Sequence, residues 1–239
     1  MELIELKNKI LSHFHGDDVE KQQLVELIER DRAVYPFNEF ELLISTLLAK
    51  ESMTYHDYLE IRQEYISRNP NLWIFEISAP RGFGESFAQT YIQGKCSKLR
   101  NPTKYLDSEY HGDYDLWLDG IRIEVKASRV TDSEQDGPLY IKALSSYTDR
   151  PFLMNFQQLK PQCCDVFIWM AVYRDIISIW VMNSKEVQNH PDYSKGQHRG
   201  NKGNEGQLHI TDGNIATLDP YLLGEKDLEQ AVRDAYQRS

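Results

Sequence analysis

The sequence predicts an α/β (α+β) protein: a mixed central sheet with flanking helices, preceded by a helical N-terminal region. Three observations carry this. Residues 1–70 repeat apolar side chains every three to four positions, the spacing of amphipathic helices. From residue 71 onward, short apolar runs of strand length alternate with helical stretches, the order of a domain with a sheet and packed helices. An Asp-Gly pair at 119–120 joins two of those runs, a strong hairpin signal because both turn positions favour positive φ. The expected division is 1–70 as a helical region and 71–239 as the sheet-bearing core, joined as one compact unit.

At the N-terminus, "LIELKNKILSHF" and "VEKQQLVELIERDRAVY" carry the helical repeat, the second behind Asp17 and Asp18 as caps. "FNEFELLISTLLAKE" follows with Asn38 as its cap. "TYHDYLEIRQEYISRNP" then begins at Thr54 and stops before Pro70, since a residue preceding proline is pushed out of the helical region. Strands are expected at "LWIFEIS", "YDLWL", "IRIEVKA", "VFIWMAV" and "IISIWVM", with a short one at "LHIT". Further helices are expected over 82–93, 154–161 and 226–238.

Composition narrows the class. The chain has 239 residues, 41% of them hydrophobic, enough to bury a core without disulfides. Cys96 and the adjacent Cys163 and Cys164 have no zinc-ligand spacing with histidine and read as reduced thiols. The first residues mix charge with apolar side chains and read as a helix, not a targeting signal. No apolar run has the length of a membrane span. The net charge of −10 argues against a general nucleic-acid binder, because phosphate affinity rests on Lys and Arg. It leaves room for a local basic cleft, and for carboxylates whose charge a bound metal ion offsets.

The hairpin "YDLWLDGIRIEVKAS" carries the chemistry. A two-residue turn at Asp119-Gly120 sets Leu118 against Ile121, Trp117 against Arg122 and Leu116 against Ile123. Continued outward, the pairing brings Asp115 opposite Glu124 and Asp113 opposite Lys126. One face then holds Leu116, Leu118, Ile121, Ile123 and Val125 and is buried. The other holds Asp113, Asp115, Trp117, Arg122, Glu124 and Lys126. Directly opposed carboxylates repel, and a divalent cation between them removes the penalty.

The pattern Asp115…Glu124-Val125-Lys126, with "IEVKAS" as its second half, resembles the signature of the PD-(D/E)xK nuclease superfamily. No Pro-Asp precedes the hairpin, so Asp113 and Asp115 both stand as the first carboxylate, and the pairing favours Asp115. The resemblance covers roughly residues 75–182. It implies a restriction-endonuclease-like αβββαβ core, Mg²⁺ dependence and phosphodiester hydrolysis. Asp115, Glu124 and the Val125 carbonyl would be the metal ligands. Lys126 would orient or help deprotonate the attacking water and stabilise developing negative charge. "GFGESFAQ" resembles the helix that presents a further glutamate in this superfamily, which makes Glu85 a catalytic candidate.

Size and a late polar loop resemble, within that superfamily, the bacterial type II restriction endonucleases. This implies a cytoplasmic homodimer acting on palindromic double-stranded DNA, protein symmetry matching site symmetry, and no membrane. A repair, recombination or mobile-element nuclease, and an inactive DNA-binding member, remain open alternatives. The Gly-rich loop "SKGQHRGNKGNEGQ" offers His198, Arg199, Asn201 and Lys202 for DNA contact. Arg81, Arg129 and Lys142 flank the hairpin as candidate phosphate contacts.

Overall fold

The computed structural model describes residues 5, 8, 9, 11–30, 43–45, 47–77, 82–196 and 205–238. The chain divides into two compact units, Met1–Arg62 and Gln63–Ser239. The boundary expected at residue 70 lies eight residues beyond this division.

In the first unit, helix α1 (Asp18–Arg30) is opened by a reciprocal cap. The Glu20 N–H donates to Asp17 Oδ1 at 2.8 Å, and the Asp17 N–H donates to Glu20 Oε2 at 3.1 Å. This satisfies donors that have no partner within a first turn. Helix α2 (Tyr55–Arg68), whose chain runs on past Arg62 into the second unit, starts with the same device built from Thr54 and Asp57. The expected cap Asn38 lies outside the described residues.

Among the described residues, the second unit holds eight strands in two sheets. The first sheet runs β1 (Leu116–Leu118), β2 (Ile121–Arg129), β5 (Val166–Val172), β6 (Ile177–Asn183). It is mixed, because β2 and β5 are parallel while the outer pairs are antiparallel. The second sheet is antiparallel, in the order β3 (Thr131–Asp132), β4 (Phe152–Leu159), β8 (Gly206–Thr211), β7 (Tyr193–Lys195). Helix α3 precedes the hairpin; Gly82–Gln89 is π-wound and Thr90–Lys95 is α-helical. The described residues of the unit also form helices α4 (Leu139–Lys142), α5 (Ser184–Gln188) and α6 (Leu228–Gln237) and a 3-10 helix, Ile215–Tyr221.

Two sequence expectations are corrected. "LWIFEIS" is a 3-10 helix, Leu72–Glu76, not a strand. A short apolar run looks alike in either state. Here Asn71 fixes the turn, donating its backbone N–H to Arg174 O at 3.0 Å and its side-chain amide to Tyr173 O at 3.1 Å. The helix expected over 154–161 is instead strand β4. Phe152, Met154 and Phe156 alternate inward, and β8 supplies the ladder that selects the strand. The chain between β4 and β5 turns without a helix, so the expected αβββαβ order is not followed there.

The main core lies between the sheets. Phe167 and Trp169 of β5 and Trp180 and Met182 of β6 pack with Met154 and Phe156 of β4 and Leu208 and Ile210 of β8. In parallel register, Glu124 lies beside Phe167 and Lys126 beside Trp169, so each pair shares a face. The inward face of the mixed sheet is therefore aromatic along β5 and charged along β2. That switch positions the site.

Candidate functional site

The hairpin forms with the register expected: Leu118 faces Ile121, Trp117 faces Arg122 and Leu116 faces Ile123. Asp119 has φ 45° and Gly120 φ 98°. Leu116, Leu118, Ile121, Ile123 and Val125 are all buried. Helix α6 clamps the turn, with Arg233 Nη2 donating to Asp119 Oδ2 at 2.6 Å.

The ladder stops at Leu116, and Asp115 does not continue it. The Asp115 N–H donates to the Ile123 carbonyl at 3.0 Å although Leu116 is the register partner of Ile123. Two residues thus oppose one, the arrangement of a β-bulge. The bulge re-aims the Asp115 carboxylate. Oδ2 accepts the Val125 N–H at 2.8 Å, and Oδ1 accepts the Gln89 side-chain amide at 2.7 Å. Asp113 lies outside the strand and is exposed. Of the two candidate aspartates, Asp115 is the one seated against Glu124 and Val125.

Glu124 and Lys126 lie two residues apart on β2, with side chains only 15% and 19% exposed and Lys126 Nζ 2.6 Å from Glu124 Oε1. Burial pushes the Glu124 carboxyl up to about 7; Lys126 pulls it back, and the neighbouring Asp115 carboxylate adds to the rise. Arg122, on the same face, is committed elsewhere. Its Nη2 and Nε donate to Asp165 at 2.8 and 3.1 Å.

These groups open onto a cleft of about 860 Å³ in the second unit. Its floor is β2 from Glu124 to Arg129, one wall is α3 with Phe83 and Gln89, and the other is β4. The β4 wall carries Asn155, Gln157 and Gln158. The sequence reading missed Gln89 and all three β4 amides. Gln89 follows Glu85 by one helical turn, a spacing open to reading. The β4 amides were hidden by the helix assignment, although the alternation Phe152, Met154, Phe156 marks a strand.

Other expected site residues fall differently. Glu85 lies in the π-wound part of α3, and its side chain is outside what is described. Arg81, His198, Arg199, Asn201 and Lys202 lie outside the described residues. Lys142 ends α4, half-buried, and is not among the residues lining the cleft. Arg129 does line the cleft, but its guanidinium is engaged. Nε donates to Ile74 O at 3.0 Å, Nη2 donates to Ile77 O, and the group lies 3.9 Å over the Phe83 ring. It joins the 3-10 helix, α3 and β2.

Among the described residues no group of three or more His, Cys, Asp or Glu side chains forms a metal-binding cluster. The site's donors are two carboxylates with adjacent main-chain oxygens, a set that suits a hard cation retaining several waters. No protein-family model matches the chain, and no curated protein sequence matches it.

Proposed function

We propose that this chain is a Mg²⁺-dependent endodeoxyribonuclease of the PD-(D/E)xK type, acting on double-stranded DNA as a type II restriction endonuclease. One observation carries the reading: Asp115, Glu124 and Lys126 meet in a single half-buried cleft. The site fits the ion. Two carboxylates share the cleft, and burial with like charge already holds one of them near neutrality, a deficit that a divalent cation offsets. Asp115, Glu124 and the Val125 carbonyl are the oxygens that would hold it. When bound, Mg²⁺ polarises a phosphodiester and lowers the pKa of a bound water.

The chain's own residues do the rest. Gln89 and the Val125 N–H fix the Asp115 carboxylate from two sides, so the ligand needs little reorganisation. Lys126 places a cation beside Glu124, where it can hold the attacking water and meet the charge that develops on the phosphate. Hydrolysis adds water across one P–O bond, leaving a phosphomonoester and a free hydroxyl.

The test is a digest of long, sequence-diverse duplex DNA by purified protein, with Mg²⁺ and with chelator, alongside Lys126→Ala. Sharp bands only with Mg²⁺ are expected, and Lys126→Ala should retain DNA binding while cleavage falls by roughly 10²–10⁴-fold, the usual scale for a positioned proton-transfer group. A Mg²⁺-dependent smear would move the function to repair or end-directed cleavage. Near wild-type cutting by Lys126→Ala would refute the site.

A further inference from the structure

Resting on the nuclease reading, we infer that Asn155, Gln157 and Gln158 of β4 read base edges of the duplex held in the cleft. They are specificity-determining residues rather than catalytic ones.

The wall they form is polar but uncharged, and it faces the carboxylates across the same cleft. Phosphates are held chiefly by cations. The described cations lining this cleft are Lys126 and Arg129, and both stand on β2 rather than on β4. The β4 wall is therefore suited to something other than backbone contact. A carboxamide carries donors and an acceptor in one plane, the pattern that pairs bidentately with adenine N6 and N7.

Two features set this wall apart from an ordinary solvated strand. The β4–β8 register shifts between Phe156 and Leu159, and Gln158 takes φ 56° within that shift. Consecutive residues Gln157 and Gln158 are consequently both exposed, where regular alternation would turn one of them inward. Left-handed backbone at a residue with a Cβ is costly, and it collects at functional positions. In addition, Asn155 Oδ1 is buried without a hydrogen-bond partner among the described residues, while the Asn155 N–H is held by Ser128 Oγ at 3.1 Å.

The experiment compares wild type, Gln157→Ala and Gln158→Gly on unmodified duplex DNA, with sequencing of the cut ends. Melting is recorded with and without Mg²⁺. Glycine tolerates φ 56°, so Gln158→Gly should melt no lower than wild type. The expected result is discrete wild-type fragments and a cleavage rate about 10- to 100-fold lower in each variant. The variants' ends should admit other base pairs at one position, and the Mg²⁺ melting shift should be unchanged. Variants cutting the same sites at the wild-type rate would overturn the inference and leave the nuclease reading intact. So would a smear from wild type, or variants that lose the Mg²⁺ shift along with rate. Absence of wild-type cleavage on DNA from several sources would instead remove the nuclease reading, and the inference with it.

Discussion

Glu124 sits between opposing influences: burial and Asp115 favour its neutral form, and Lys126 favours its charge. The balance lies with the neutral form, and its consequence for stability has a definite sign. In the unfolded chain a glutamate titrates near 4.3, whereas folded Glu124 holds its proton up to about 7. Between those values the native state binds more protons, so this contribution is complete below the lower value and is lost as pH rises through the upper one. The metal-free protein should lose roughly 2–3 kcal/mol of stability on that account between pH 5 and 7.5. Urea unfolding across that range would show it, and Glu124→Gln should flatten the slope. An unaltered slope in the variant would mean that other groups set it. Arg129 teaches a related lesson. A basic residue beside the site is readily taken for a phosphate contact, yet here its donors serve two backbone carbonyls.

The hairpin is the element on which the site is built. Its turn closes because Asp119 and Gly120 both adopt positive φ, and Arg233 holds the Asp119 carboxylate. Nothing lies within 4 Å of where a Cβ on Gly120 would stand, so substitution there is a clean measure of backbone cost. Gly120→Ala should destabilise the protein by roughly 1–2 kcal/mol, measurable as a lower denaturant midpoint with an unchanged slope. An unchanged midpoint would show that the turn does not limit stability. Beyond the turn, the bulge at Asp115 turns its carboxylate onto the Val125 N–H. Helix α3 completes it through Gln89.

At the scale of the whole molecule, the second unit places the charged face of β2 between two sheets whose facing interior is aromatic. A low-dielectric surround strengthens every interaction inside it. Binding linkage follows from this placement. If Mg²⁺ binds the folded site alone, saturation at a hundred times the dissociation constant should add about 2.7 kcal/mol. The melting temperature should rise with Mg²⁺ and fall back with chelator. The gain should grow from pH 6 to 8, because the ion binds ionised Glu124. A Mg²⁺ effect equal in wild type and Asp115→Ala would place binding elsewhere. Among the described residues no helix is long and apolar enough to cross a membrane, and the three cysteines are free.

What the sequence determined by itself was local. The three inner pairs of the hairpin, the burial of one of its faces and the strands "VFIWMAV" and "IISIWVM" follow from spacing, because a two-residue turn and a period of two leave few alternatives, and the cap at Asp17 follows from its place ahead of a helical repeat. The tertiary structure decided what depends on a distant partner. "FLMNFQQL" is a strand because β8 pairs with it, and "LWIFE" coils because Asn71 is tied to the β5–β6 turn. The meeting of Asp115 with Gln89, and of β2 with the amides of β4, required packing between elements far apart in the chain. Periodicity reports which side of an element is buried; it carries no information about which other element will cover it.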